Sequence, residues 1–105
     1  MTVYRCRPGV LLVEICGEYL LVAAEEARSS CPYVRQINRS AAFLWKRLMR
    51  TATAEDLENA IFEAYKVRNA DVRKDIAAFL KDMTESGYIL GEDGIDNKNE
   101  GDKND

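Results

Sequence analysis

Val34-Arg-Gln-Ile-Asn-Arg-Ser-Ala-Ala-Phe-Leu-Trp45 decides the fold of this chain, because its first residues read as a strand, its later ones as a helix, and one residue marks the change. Val34, Gln36 and Ile37 suit extended backbone, and Asn38 then offers a side-chain oxygen to the free N–H groups of a helix beginning near Arg39. Beyond it Phe43, Leu44, Leu48 and Met49, with Trp45 beside them, recur at helical spacing and give that helix a broad apolar face in need of a partner.

Upstream, Val10-Leu-Leu-Val-Glu-Ile-Cys16 and Tyr19-Leu-Leu-Val-Ala-Ala24 are short apolar runs separated by Gly17-Glu18, a pair suited to a tight type II′ turn, so a β-hairpin is expected. Residues 25–32 are polar and close with Pro32, which reads as a loop carrying the chain to a third strand at Tyr33–Ile37. Downstream, the Thr53 hydroxyl can cap a second helix, with Asp56 placed to complete a capping box. Leu57, Ala60, Ile61, Ala64 and Tyr65 follow at helical spacing, and this helix should fade near Val67. Arg68-Asn69-Ala70 makes a turn, Asp71 opens a third helix running to Ser86, and Gly87 is its left-handed stop. Val72, Ile76, Phe79, Leu80 and Met83 form the expected buried stripe of that helix, and Tyr88-Ile-Leu90 is a short extended exit. The sum is an α+β, winged-helix-like fold, a three-stranded antiparallel sheet followed by three helices. A sheet of three strands leaves an edge whose N–H and C=O groups are unpaired.

With 105 residues and 47% apolar content, the chain can build one modest core and no second domain. Residues 1–90 are assigned to a single domain carrying 13 bases against 12 acids, whereas residues 91–105 hold two lysines against six acids. The net charge of −3 therefore belongs to the tail, whose one apolar residue, Ile95, cannot bury it, so a disordered acidic tail is expected. No apolar run reaches the ~20 residues of a membrane span, and the beginning of the chain lacks a basic segment leading into an apolar one, so a cytoplasmic protein with no membrane partner is expected. Cys6, Cys16 and Cys31 form no Cys-x-x-Cys pair and there is no histidine, which argues against a zinc site or a disulfide framework. They read as small buried hydrophobes or free thiols, with a transient Cys16–Cys31 bridge the one alternative the spacing leaves open.

Ile37-Asn38, Ser40, Phe43, Trp45 and Leu48, then Thr53, Leu57 and Tyr65, then Val72, Asp75, Phe79, Leu80 and Gly87-Tyr-Ile together resemble the PqqD-like domain, also called the RiPP recognition element. The resemblance covers roughly residues 3–90. Ser40-Ala41 stands where members often carry Thr-Gly, and Arg50-Thr51-Ala52 where they often carry an Asp-Gly turn, departures that bear on the subfamily rather than the fold. The resemblance implies a small adaptor, without catalysis or cofactor of its own, that binds the leader segment of a ribosomally made precursor peptide. It presents that leader to a maturation enzyme such as a radical SAM maturase or a leader peptidase, in pathways such as pyrroloquinoline quinone or lasso peptide biosynthesis.

In the family the leader adds as a strand beside the third strand and its side chains enter the groove toward the third helix, a mode in which main-chain bonds supply affinity and pockets supply identity. Carried over, Tyr33, Val34, Arg35, Gln36 and Ile37 form the strand side, and Val72, Asp75, Ile76, Phe79 and Met83 the helix side. The helical period centres the core stripe near Val72, Ile76 and Met83, leaving Asp75, Phe79 and Asp82 on one flank and Arg73 and Leu80 on the other. The family places its helix Asp near the leader, which favours the Asp75 and Phe79 flank, and Arg35 is the candidate to pair with an acidic leader residue. Beside these roles stand plainer ones: Asn38 as a cap, Trp45, Phe79 and Met83 as packing, and Asp75 as a solvated charge near Arg73 and Lys74.

The chief alternative is a winged helix-turn-helix DNA-binding regulator, which would use basic residues of its third helix against phosphates. That helix carries Arg73, Lys74 and Lys81 against Asp71, Asp75, Asp82 and Glu85, a net negative charge, so nucleic acid is not the expected partner. Arg39, Lys46, Arg47 and Arg50 of the first helix read as a solvated face. An enzyme is not expected, for there is no histidine, no Gly-rich phosphate loop and no nucleophile elbow, and the carboxylates Glu55, Asp56 and Glu58 suit a helix start. A homodimer paired through the free sheet edge would have the same sequence signature.

Overall fold

The computed structural model describes residues 1–93, in the order β1 (Thr2–Cys6), β2 (Val10–Ile15), β3 (Glu18–Ala23), a 3-10 turn (Glu25–Ala27), β4 (Val34–Ile37), α1 (Arg39–Arg47), α2 (Ala54–Tyr65), α3 (Ala70–Glu85) and β5 (Ile89–Asp93). The expected three-stranded antiparallel sheet is β2-β3-β4, so the strand read as third is β4, and it is an edge. A second sheet was not anticipated. β1 pairs antiparallel with β5 from Thr2↔Asp93 to Cys6↔Ile89, and Tyr4 also exchanges backbone bonds of 2.7 and 2.9 Å with Ala52. Thr2, Val3 and Tyr4 are good strand formers, and their partners lie some ninety positions away. β5 reaches Asp93, and the rest of the tail expected to be disordered lies outside the described residues.

The hairpin turn is one residue earlier than expected. Ile15 pairs with Glu18, and the two residues between, Cys16 and Gly17, both have positive φ (51° and 80°), as a type I′ turn requires. Helix starts follow the side-chain chemistry. Asn38 Oδ1 accepts from the Ala41 N–H at 2.8 Å, Thr53 and Asp56 complete a reciprocal capping box, and Asn69 rather than Asp71 caps α3 by accepting from the Val72 N–H at 2.9 Å. Gly87 ends α3 at φ +91°, where a side chain would be driven into the Ser30 carbonyl oxygen.

The inner faces of β3 and β4 (Leu21, Ala23, Ile37) pack on Leu44, Trp45 and Leu48 of the first helical segment, Leu57 of α2, and Ile76, Leu80 and Met83 of α3, with Tyr88 and Ile89 closing the base. Tyr88 is fully buried and satisfies its hydroxyl by donating to the Pro32 carbonyl at 2.8 Å. Met49 is not part of the α1 face, since the helix ends at Arg47 and Met49 is 71% exposed. Likewise only the first half of α2 is covered, and Ala64 and Tyr65 project from the core.

Candidate peptide-binding site

Among the described residues β4 is bonded to β3 on one side only. The register pairs Leu21 with Arg35 and Tyr19 with Ile37, and the Ala23 N–H donates to the Tyr33 carbonyl at 2.7 Å, so Tyr33, Arg35 and Ile37 point their backbone groups at β3. Antiparallel ladders alternate, so the N–H and C=O of Val34 and Gln36 point out from the free edge. Side chains alternate at right angles to this pattern. Arg35 and Ile37 turn toward the helices, whereas Val34 and Gln36 lie on the outer face.

Alongside this edge runs a groove of about 510 Å³ between β4, the start of α1, and α3. Ile37, Leu44 and Met83 form its apolar floor, Ala41, Ala78 and Phe79 its walls, and Asp75 and Asp82 line its α3 rim. Asn38 places the α1 wall. By ending the strand and capping the helix in one residue, it sets Ser40, Ala41 and Leu44 beside Ile37. Arg35 spans toward the opposite rim, donating to Asp82 Oδ1 at 3.2 Å and to Ser86 Oγ at 3.1 Å. Its guanidinium holds the Asp82 carboxyl below the usual carboxylate range, helped by the Ser86 hydroxyl and opposed by partial burial.

A second cavity of about 470 Å³ opens between α1, the end of α2 and the start of α3, walled by Phe43, Ile61, Tyr65, Val67 and Val72. Ser40, Leu44 and Asp75 line both cavities, which therefore adjoin.

The fold and this groove accompany a family match: residues 18–89 fit the profile described as coenzyme PQQ synthesis protein D, PqqD. The chain belongs to the PqqD family. Two solved structures share its fold. "Lasso peptide synthetase B1 complexed with the leader peptide" superposes with a TM-score of 0.63 at 24% identity, covering 83% of this chain and 96% of that one. "TbiB1 in Complex with the TbiA(beta) Leader Peptide" gives 0.63 at 18% identity, covering 81% and 93%. No curated protein matches significantly.

In this PqqD-family chain the residues singled out from sequence divide into groups. Arg35, Gln36, Ile37, Asp75, Phe79 and Met83 line one groove. Tyr33 and Val34 lie outside it, 55% and 48% exposed, with the Arg28 guanidinium stacked 4.1 Å from the Tyr33 ring centroid. Ile76 belongs to the core at 2% exposure and reaches toward α2, so it contributes no groove surface. Val72 faces the second cavity. The stripe of α3 is centred on Ile76, Leu80 and Met83, so Leu80 is core, as the expected buried stripe had it and unlike its placement on a flank, while Val72 and Phe79 turn to the helix margins. Arg35 is not a free cation waiting for an acidic ligand, because Asp82 already engages it. The α1 residues Ser40, Ala41 and Leu44 were missed, although their position one turn after a strand-ending cap was the available signal.

The thiols offer little chemistry. Burial pushes the Cys6 thiol up to about 12, with its Sγ 3.4 Å from the Trp45 carbonyl, and burial likewise raises Cys31, whose Sγ lies 3.3 Å from the Ala27 carbonyl. Cys16 is exposed at the hairpin tip, and Cys31 precedes the opposite end of the β3-β4 ladder, so the two are not placed to bridge. Among the described residues no cluster of metal-ligating side chains occurs, and no helix is long and apolar enough to cross a membrane.

Proposed function

We propose that this chain is a non-catalytic adaptor that binds the leader of a ribosomally made precursor peptide by strand addition to β4. The single observation that carries this reading is the open edge of β4 beside an apolar-floored groove: Val34 and Gln36 offer two N–H and two C=O groups to a peptide backbone, while Ile37, Leu44, Phe79 and Met83 receive its alternate side chains. Membership of the PqqD family and the leader-bound state of both structural neighbours support it. The bound leader is presented to a second partner, a maturation enzyme such as a radical SAM maturase or a leader peptidase, in the cytoplasm.

The DNA-binding reading has nothing comparable. Asp71, Asp75, Asp82 and Glu85 are all exposed on α3, and a helix so charged opposes entry into a major groove. Titration of the labelled protein with a synthetic leader, made from the precursor encoded beside its gene, tests the choice. Amide shifts confined to β4, the α1 start and the Asp75 flank of α3, with none from duplex DNA, are expected, and a DNA response along α3 with none from the leader would overturn the assignment.

A further inference from the structure

We infer that the α1/α2/α3 cavity is a second leader subsite, taking a bulky apolar or aromatic side chain from the segment N-terminal to the strand-added stretch. The inference rests on the leader-binding reading and extends it beyond the β4 edge.

Its walls come from a part of the fold that the core leaves uncovered. Lys66 adopts the left-handed conformation at φ 60°, which ends α2 and turns the chain so that Val67 joins Tyr65 beside Phe43. Tyr65 is 57% exposed and Val67 39%, and the Phe43 and Tyr65 rings meet edge to face at 5.4 Å. Phe43, Ile61 and Val72 pack their inner sides on the core, while Tyr65 and Val67 add exposed apolar area that the core does not use, at the end of the proposed binding groove rather than on a remote face.

Continuity and direction select the occupant. Ser40, Leu44 and Asp75 wall both cavities, so the second cavity opens off the groove beside the α1 start that follows Ile37. Every strand pair among the described residues is antiparallel, and a peptide added to β4 in the same sense runs toward Ile37 with its N-terminal end. Chemistry selects the side chain. Arg39, Ser40 and Asp75 supply the polar lining, whereas Phe43, Leu44, Ile61, Tyr65, Val67 and Val72 make the rest mainly hydrocarbon, where a polar group would lose water without gaining an equivalent partner.

The test uses fluorescence anisotropy with the synthetic leader of the adjacent precursor, whole and shortened at its N-terminal flank, against wild type, Tyr65→Ala, Val67→Asp and Gln36→Pro. Tyr65 and Val67 are exposed, so their variants should keep the wild-type circular dichroism, with a small drop in melting temperature for Tyr65→Ala from the lost Phe43 contact. Shortening the leader and Val67→Asp should each weaken binding about tenfold, as withdrawal of one bulky apolar side chain implies, and combining them should weaken it no further. Tyr65 and Val67 variants that bind the whole leader like wild type, while Gln36→Pro loses it, would eliminate the subsite and leave the groove reading standing. Sensitivity that follows the C-terminal flank instead would overturn the assigned direction. Failure of the whole leader to bind wild type would remove both readings.

Discussion

Arg35 of β4 and Asp82 of α3 are joined across the groove, with Nη1 of the arginine donating to Oδ1 at 3.2 Å. The side chains are 33% and 52% exposed, so this latch is open to water and an incoming carboxylate can exchange with Asp82 for the guanidinium. The latch also ties the edge strand to the helix that forms the other wall, which keeps the groove at a set width.

The pH dependence of that latch follows from its sign. The Asp82 carboxyl titrates lower in the folded protein than its ordinary value, so its contribution is present above ~4 and is lost as pH falls through the depressed value. Wild type should melt above Asp82→Asn near neutrality, by no more than ~1 kcal/mol of stability for a pair this exposed, and the two curves should converge in acid. Thermal melts from neutral pH downward check this. Asp56, held low by the Thr53 N–H, contributes to acid sensitivity in the same direction.

Gln36→Pro should lower leader affinity about tenfold or more. The Gln36 N–H points away from β3, so proline removes a donor of the free edge and leaves the β3 ladder intact. Gln36→Ala, which loses only the side-chain bond to Glu18, is the control and should bind within a few-fold of wild type when both are compared by anisotropy.

Gly87→Ala should cost more than ~2 kcal/mol, combining a left-handed backbone with a methyl group forced against the Ser30 carbonyl. Urea denaturation is the measurement. Gly17→Ala meets open space and should cost less, since only the positive φ is at stake.

In native protein at mildly alkaline pH, a thiol-specific chromogenic disulfide should react promptly with Cys16 alone, because Cys6 and Cys31 are shielded and their thiols stay protonated. All three should react in denaturant.

Local chemistry made much of this fold legible in advance. Asn38, the Thr53–Asp56 box and Gly87 each satisfy or end a helix within a few residues of themselves, and their roles are visible without knowing the rest of the chain. β1 was not legible, because Thr2–Cys6 becomes a strand through partners at residues 89–93 and leaves only a short run of strand formers as its trace. The turn moved to Cys16-Gly17 because Cys16 accepts a positive φ that sequence statistics assign to Gly or Asn. Asp75 and Phe79 were placed on one flank from helical period alone, but the α1 wall depends on how two helices meet and has no period of its own.

Hydrogen exchange of the β4 amides, followed by NMR with and without the synthetic leader, tests strand addition most directly. Val34 and Gln36 should gain protection on binding, while Arg35 and Ile37, already bonded to β3, should change little. Saturating leader that leaves Val34 and Gln36 exchanging as in the free protein would contradict strand addition at this edge.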